Sequence, residues 1–209
     1  MRTVYRTSVL SCLVLVALAA GDSLILSVIT PRGLQAQPPA GPERDDEELT
    51  RLYKEDQADR MPKEGQAIDW TVVGPRDKQR EARVKELYDK GRLRTGADYY
   101  HVAMVLQHGQ KADDYLLAHE LCIVAIAKGE QRALWLAAAS EDRFLMNLGR
   151  PQRFGTQYRA EGVDKLMRLY RVGPGVTDEL RRAFHAPSLS EAKAREALFN
   201  EKKPKPGAR

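Results

Sequence analysis

Three histidines fall within 19 residues, His101, His108 and His119, and the last is followed directly by Glu120. Imidazole nitrogens and a carboxylate at this density could form a divalent-metal site or a general acid–base pair. His101 and His108 stand seven positions apart, so a helix would carry both on one face. A zinc-peptidase helix needs a further histidine three positions after His-Glu, and Ile123 stands there instead. The structural alternative is that each imidazole borders a helix end and satisfies backbone groups, with no metal bound.

A second polar concentration lies at 150–157, where Arg150, Gln152, Arg153, Thr156 and Gln157 surround Gly155. Guanidinium forks and backbone N–H groups in such a loop could hold an anionic or polar ligand, or could stitch the turn to itself. Just upstream, Glu141, Asp142 and Arg143 interrupt an apolar helix. If Asp142 or Arg143 faces inward it needs a partner, because an unpaired buried charge is very costly. The 150–157 loop is the natural partner for Asp142. These residues therefore read either as architecture or as the lining of a ligand site that includes Asp142 and Arg143. The chain has no Gly-x-Ser-x-Gly elbow, P-loop or dinucleotide fingerprint, so no cofactor is expected.

The elements that must position these groups are helical. Hydrophobic residues make up 43% of the 209 and charged residues 30%, ordinary for one globular domain. Leu49, Leu52 and Tyr53 at i, i+3, i+4 predict a first helix over 45–60, with Pro62 just beyond it. An irregular connection with Ile68 and Trp70 follows over 66–74. A second helix is expected from Pro75, presenting Val84, Leu87 and Tyr88 and stopping at Gly91. Thr95 with Asp98 forms a capping-box variant for a third helix, which stops at Gly109. The fourth spans 112–128 and stops at Gly129; the fifth spans 130–148 and stops at Gly149. Helices of this length joined by tight turns pack antiparallel.

The fourth helix is apolar almost all round, so it is expected to be the central buried element. Val102, Val105 and Leu106 would flank it on one side, and Leu134, Ala137, Ala138 and Leu145 on the other, with Trp135 a core aromatic. Segments 156–159 and 166–172 can pair as a short β-hairpin. Thr177 caps a short helix ending near Phe184, and Ser188 with Glu191 boxes a last helix to about Asn200. The fold class is mainly α: antiparallel helical hairpins around a central buried helix, with a short β-hairpin near 156–172.

The N-terminus reads as an export signal. Arg2 and Arg6 precede an apolar run over 9–20, with small residues at Ala17, Ala19, Ala20 and again at Ala36. That run is shorter than the roughly 20 residues a bilayer span requires. Extending it through Ile29 would bury Asp22, at a cost of about 2–3 kcal/mol. Residues 1–36 are thus a cleaved signal peptide, or alternatively a retained anchor. A proline-rich then acidic linker follows over 37–47, a single helical domain over 48–200, and a basic tail over 201–209. Cys12 lies in the signal, which leaves Cys122 as the lone mature thiol and excludes a disulfide framework. The net charge of +5 falls to +3 without residues 1–36. The tail carries +4 on Lys202, Lys203, Lys205 and Arg209, which leaves the folded part at −1. The cations a nucleic-acid face needs are therefore on a tail, and no nucleic-acid partner is expected.

Several segments together resemble a known family: Asp98-Tyr99-Tyr100-His101, Gln107-His108-Gly109, 114–120, 132–139, Asp142-Arg143, and above all Gly149-Arg150-Pro151-Gln152-Arg153-Phe154-Gly155-Thr156-Gln157. Over about 45–200 they are similar to uncharacterised bacterial proteins defined by a domain of unknown function with a GRPQ-x-[FY]-GTQ segment. The resemblance implies a helical fold and frequent signal sequences, and it carries no catalytic roles. The small-residue positions in 103–109, 125–129 and 133–139 also resemble Sel1-like and tetratricopeptide hairpins, a pattern from which the loop after Gly149 departs. The expected function is an exported module, periplasmic, secreted or anchored by its N-terminus, that binds a protein or a small polar ligand. The alternative is a small envelope hydrolase using His101, His108, His119 and Glu120.

Overall fold

Side-chain caps set where the helices begin. In the computed structural model, which describes residues 43–62, 67–161 and 166–201, Asp46 accepts from the amides of Glu48 and Leu49 and starts α1, Glu47–Asp59. The signal at 1–36, linker residues 37–42, the hairpin tip at 162–165 and tail residues 202–209 lie outside the described residues. Asp69 caps α2, Trp70–Asp89, through the Thr71 amide. This helix begins five residues before the expected Pro75. Pro75 forfeits a helix bond, but Gly74 before it has no Cβ to clash with the proline ring, so the helix runs through. Thr95 and Asp98 form the expected reciprocal capping box at α3, Gly96–Leu106. Then come α4, Ala112–Ala127, and α5, Ala133–Asn147.

Three of the expected glycine stops are left-handed: Gly91 at φ 64°, Gly129 at 91° and Gly149 at 68°. After each, the next amide reaches back to a carbonyl five residues earlier, as in Glu130 N to Ala125 O at 2.9 Å, closing the helix end. Gly109 differs. It has no positive φ, and a Cβ there would sit 2.7 Å from Asp114 Oδ2. Close approach of the Asp114 side chain, rather than helix termination, requires glycine at 109.

α4 packs most extensively against α5 and α3, as expected of a central element. The core includes Leu49 and Leu52 of α1, Val84 and Leu87 of α2, Val102 and Leu106 of α3, Leu121 and Cys122 of α4, and Leu136 of α5. Burial pushes the Cys122 thiol up to about 12, so it behaves as a small apolar residue. Three expectations need correction. α4 is not buried all round, since Leu116, Ile123 and Val124 are exposed. Trp135 and Tyr88 likewise reach solvent rather than the core. Apolar composition alone cannot say which side of a helix lacks a neighbour. Among the described residues no helix is long and apolar enough to cross a membrane.

α5 serves two cores. Ala137 belongs to the first, whereas Ala138 packs with Phe154, Val176 and Ala186 in a second. That second unit holds the expected hairpin, β1 Tyr158–Glu161 antiparallel to β2 Leu166–Leu169, then α6 Asp178–Ala183 and α7 Leu189–Glu201. α7 covers the free edge of β2 with side chains. Asn200 accepts from the Met167 amide and donates to the Met167 carbonyl, both at 2.9 Å, and Glu196 accepts from Leu169 N. These contacts satisfy edge groups that would otherwise invite strand addition.

A methyl at Gly129 would meet nothing within 4 Å, so its cost is backbone conformation alone. Gly129→Ala is expected to lower stability by roughly 1–2 kcal/mol. The urea midpoint should fall with an unchanged slope.

Candidate functional site

The structure separates the three histidines. His101 is buried on α3, stacked on Tyr53 at a ring distance of 4.4 Å, with Nδ1 3.5 Å from Thr50 Oγ1. Burial and then the charge of Arg132 hold its pKa below the ordinary value. His108 lies past the end of α3, so the shared helix face expected for the pair does not form. His119 donates from Nδ1 to the Ala137 carbonyl at 2.9 Å, bridging α4 to α5, and Glu120 is exposed. No group of three or more His, Cys, Asp or Glu able to hold a metal exists among the described residues.

The 150–157 loop is saturated from within. Asp142, fully buried, accepts from the amides of Arg153, Phe154 and Thr156 at 2.7, 2.9 and 3.0 Å, and from Thr156 Oγ1 at 2.8 Å. Converging backbone N–H groups make an anion-binding nest, and here the anion is the protein's own carboxylate. Gln152 donates to the carbonyls of Gln157 and Tyr170 and accepts from Gln157 N. Gln157 donates to Thr156 Oγ1 at 2.9 Å and Ala139 O at 3.4 Å. Of the remaining loop residues, Arg153 Nε stands 3.2 Å from Glu141, and Arg150 is exposed. A residue the sequence reading missed completes this arrangement. Buried Arg181 donates to the carbonyls of Phe154, Arg153 and Val176 at 2.8–3.0 Å. An arginine in a short, charged helix carries no sequence signal of that role.

His108 and Arg143 meet elsewhere, in a cleft of about 680 Å³ between α2, the α3–α4 turn and the middle of α5. Three polar atoms of its lining are buried without a hydrogen-bond partner: Gln107 Oε1, His108 Nε2 and Arg143 Nε. Gln107 is 4% exposed, and its amide nitrogen reaches only Met104 Sδ, at 3.2 Å. His108 Nε2 stands 3.6 Å from Asp56 Oδ2, too far for a hydrogen bond. Asp56 is instead engaged by Arg60 Nη1 at 2.9 Å and Gln57 Nε2 at 2.7 Å.

The charges of the lining do not balance. Asp77, Glu81 and Asp114 face five cations. Arg60 pairs with Asp77 at 2.8 Å, and Lys85 pairs with Glu81 at 2.6 Å and with Asp114. Lys78, Lys111 and Arg143 have no ion pair among the described residues. Of the residues expected to form a site, the cleft brings together His108 and Arg143 only. Gln107, Arg60 and Lys85 were missed, because helical charges at i, i+3 and i+4 spacing read as a solvated face. On α1 and α2 they interlock instead. Arg80, 6% exposed at its side chain, joins Asp59 at 2.8 Å and Asp77 at 2.6 Å.

Two predictions follow from these geometries. Asp142→Asn turns one acceptor into a donor facing amides and should cost about 3 kcal/mol, whereas exposed Arg153→Ala should cost under about 1 kcal/mol. Urea titration of both variants separates an architectural loop from a ligand-binding one.

The second concerns pH. Burial, followed by the charges of Arg60, Arg143 and Arg80, pushes His108 down to about 3; burial, opposed by Arg60, pushes Asp56 up to about 6. A histidine held neutral stabilises the fold above its unfolded pKa near 6.5, and this contribution is lost as pH falls toward 3. A carboxyl held protonated has the opposite slope, gaining stability as pH falls from about 6 to 3.8. His108→Gln removes only the first effect. Its stability relative to the parent protein should therefore rise between pH 6.5 and pH 4, and parallel profiles would refute the assignment. No family model, curated protein or solved structure matches this chain.

Proposed function

We propose that this protein is an exported, non-catalytic binding module that takes a small polar ligand into the cleft lined by Gln107, His108 and Arg143. The observation that carries this reading is the set of three buried polar atoms without partners around one opening. A buried unsatisfied group costs about 1–3 kcal/mol, and a site that binds polar ligands has reason to retain that cost. A fourth such atom among the described residues, Arg80 Nε, lies in the α1–α2 charge network 3.9 Å from Asp56 Oδ1, so three of the four gather at this one cleft.

Export to the cell envelope rests on the signal-like residues 1–36. Binding rather than hydrolysis is favoured by what lines the cleft. Its described residues offer guanidinium, ammonium, amide, imidazole and carboxylate groups, but no Ser, Thr or Cys. The hydrolase alternative has less support, because His101, His108 and His119 face three different neighbourhoods.

A thermal-shift panel of sugars, hydroxy acids, amino acids and phosphate esters tests the reading. A true ligand at a hundredfold excess over its Kd should stabilise the protein by about 2.7 kcal/mol. Gln107→Met should abolish that shift. It also deletes an unpaired acceptor, so the unliganded variant should be as stable as the parent protein, or about 1 kcal/mol more so. Ligand shifts that survive in Gln107→Met, or a panel without any shift, would overturn the proposal.

A further inference from the structure

We infer that the cleft selects an oxyanion carrying a hydrogen-bond donor, such as a hydroxycarboxylate or the phosphate ester of a small alcohol, seated on Arg143. This deepens the binding reading above and rests on it.

Arg143 projects from α5, and its Nε is buried without a hydrogen bond. Arg143 is half-buried with Nε cut off from solvent, and its guanidinium keeps its charge near neutral pH, so an anion seated on it is favoured. No carboxylate among the described residues of the cleft supplies one. Asp77 is held by Arg60 and Arg80, while Glu81 and Asp114 are held by Lys85. Asp56 has both oxygens engaged, by Arg60 and by Gln57. Tyr115 is also near Arg143, but it is neutral at ordinary pH and its hydroxyl donates to the Gly109 carbonyl at 2.6 Å. Among the described residues Arg143 therefore has no counter-charge, and an anionic ligand would supply one.

The planar donor fork of arginine matches the oxygens of carboxylate and phosphate groups. Lys78 and Lys111, both exposed on the cleft lining and without ion pairs among the described residues, add positive potential that draws an anion inward. Gln107 Oε1 adds a second requirement. It only accepts, so the ligand must present a hydroxyl or amine hydrogen to it. Its amide nitrogen is turned to Met104 Sδ, which leaves Oε1 as the unpartnered end. An anion without a donor would leave Gln107 unsatisfied, and a neutral polyol would leave Arg143 unsatisfied.

Isothermal titration calorimetry of the purified protein with malate, glycerol 3-phosphate, inorganic phosphate and glycerol tests this. At least one of malate and glycerol 3-phosphate should bind at least tenfold more tightly than glycerol, and which one does distinguishes carboxylate from phosphoryl recognition. Inorganic phosphate, whose hydroxyl sits on the anionic centre itself, should bind more weakly than the better ester or acid. Affinity should fall as salt is raised, and Arg143→Met should weaken it by tenfold or more, with Arg143→Lys intermediate. If Arg143→Met does not fold, the exposed pair Lys78→Ala with Lys111→Ala should weaken anion binding about threefold or more. Glycerol binding as tightly as the anions, with that binding lost in Gln107→Met, would overturn the anion inference and leave the cleft as a polar-ligand site. Anion binding that persists in Arg143→Met would overturn the seating on Arg143. Absence of binding by all four probes would overturn the inference, while the cleft reading would still be judged by the wider panel.

Discussion

Everything C-terminal to α5 depends on one carboxylate. Asp142 gathers three backbone amides and a hydroxyl from 153–156, while Arg181 takes two carbonyls of the same stretch from the opposite side. An irregular loop can be buried only when its backbone groups find partners, since unpaired amides in the interior cost as much as lost hydrogen bonds. With the loop fixed between an anion and a cation, Phe154 is held against Ala138 and the second small core can form. Gln152 then ties the same loop to the strand region through Gln157 and Tyr170. The hairpin, α6 and α7 are thus organised by polar contacts more than by the few apolar residues that they bury.

The helical part is held differently. Alanines at 103, 118, 125, 133 and 137 are almost or fully buried on α3, α4 and α5, so those backbones can approach closely. Larger residues such as Leu106, Leu121 and Leu136 then fill the layers between them. α1 and α2 join through the interlocked Asp56, Asp59, Arg60, Asp77 and Arg80, whose contacts leave only the outermost, Arg76, well exposed. Such networks contribute through geometry more than through net energy, because desolvation offsets much of the attraction. Their consequence for the cleft is electrostatic. With Asp56 and Asp77 held in the network, Arg143 has no ion pair among the described residues.

This contrast between saturated and unsaturated polar regions distinguishes the two places where chemistry could be sought. The loop at 150–157 looks like an anion site because its amides converge, yet the chain already fills it. The cleft is built from ordinary helix residues, and its signature is what those residues lack. His108 belongs to the same pattern: it is half-buried beside guanidinium groups that, with burial, lower its pKa, and it finds Asp56 just beyond hydrogen-bond reach.

Local sequence signals decide the mainly helical class, the caps at Thr95, Thr177 and Ser188, the left-handed stops at Gly91, Gly129 and Gly149, and the hairpin strands. These are local matters, decided by the conformational preferences of single residues and by hydrogen bonds to near neighbours. The pairing of Asp142 with the loop was also legible, because a charge inside an apolar helix has few places to turn. Other facts depended on which surfaces have neighbours. Trp135 and one side of α4 face water, Pro75 lies inside a helix, and Gly109 makes room for Asp114. The cleft is of the same kind: a cation lacks a partner only after every carboxylate in reach has been assigned, and tertiary packing makes that assignment.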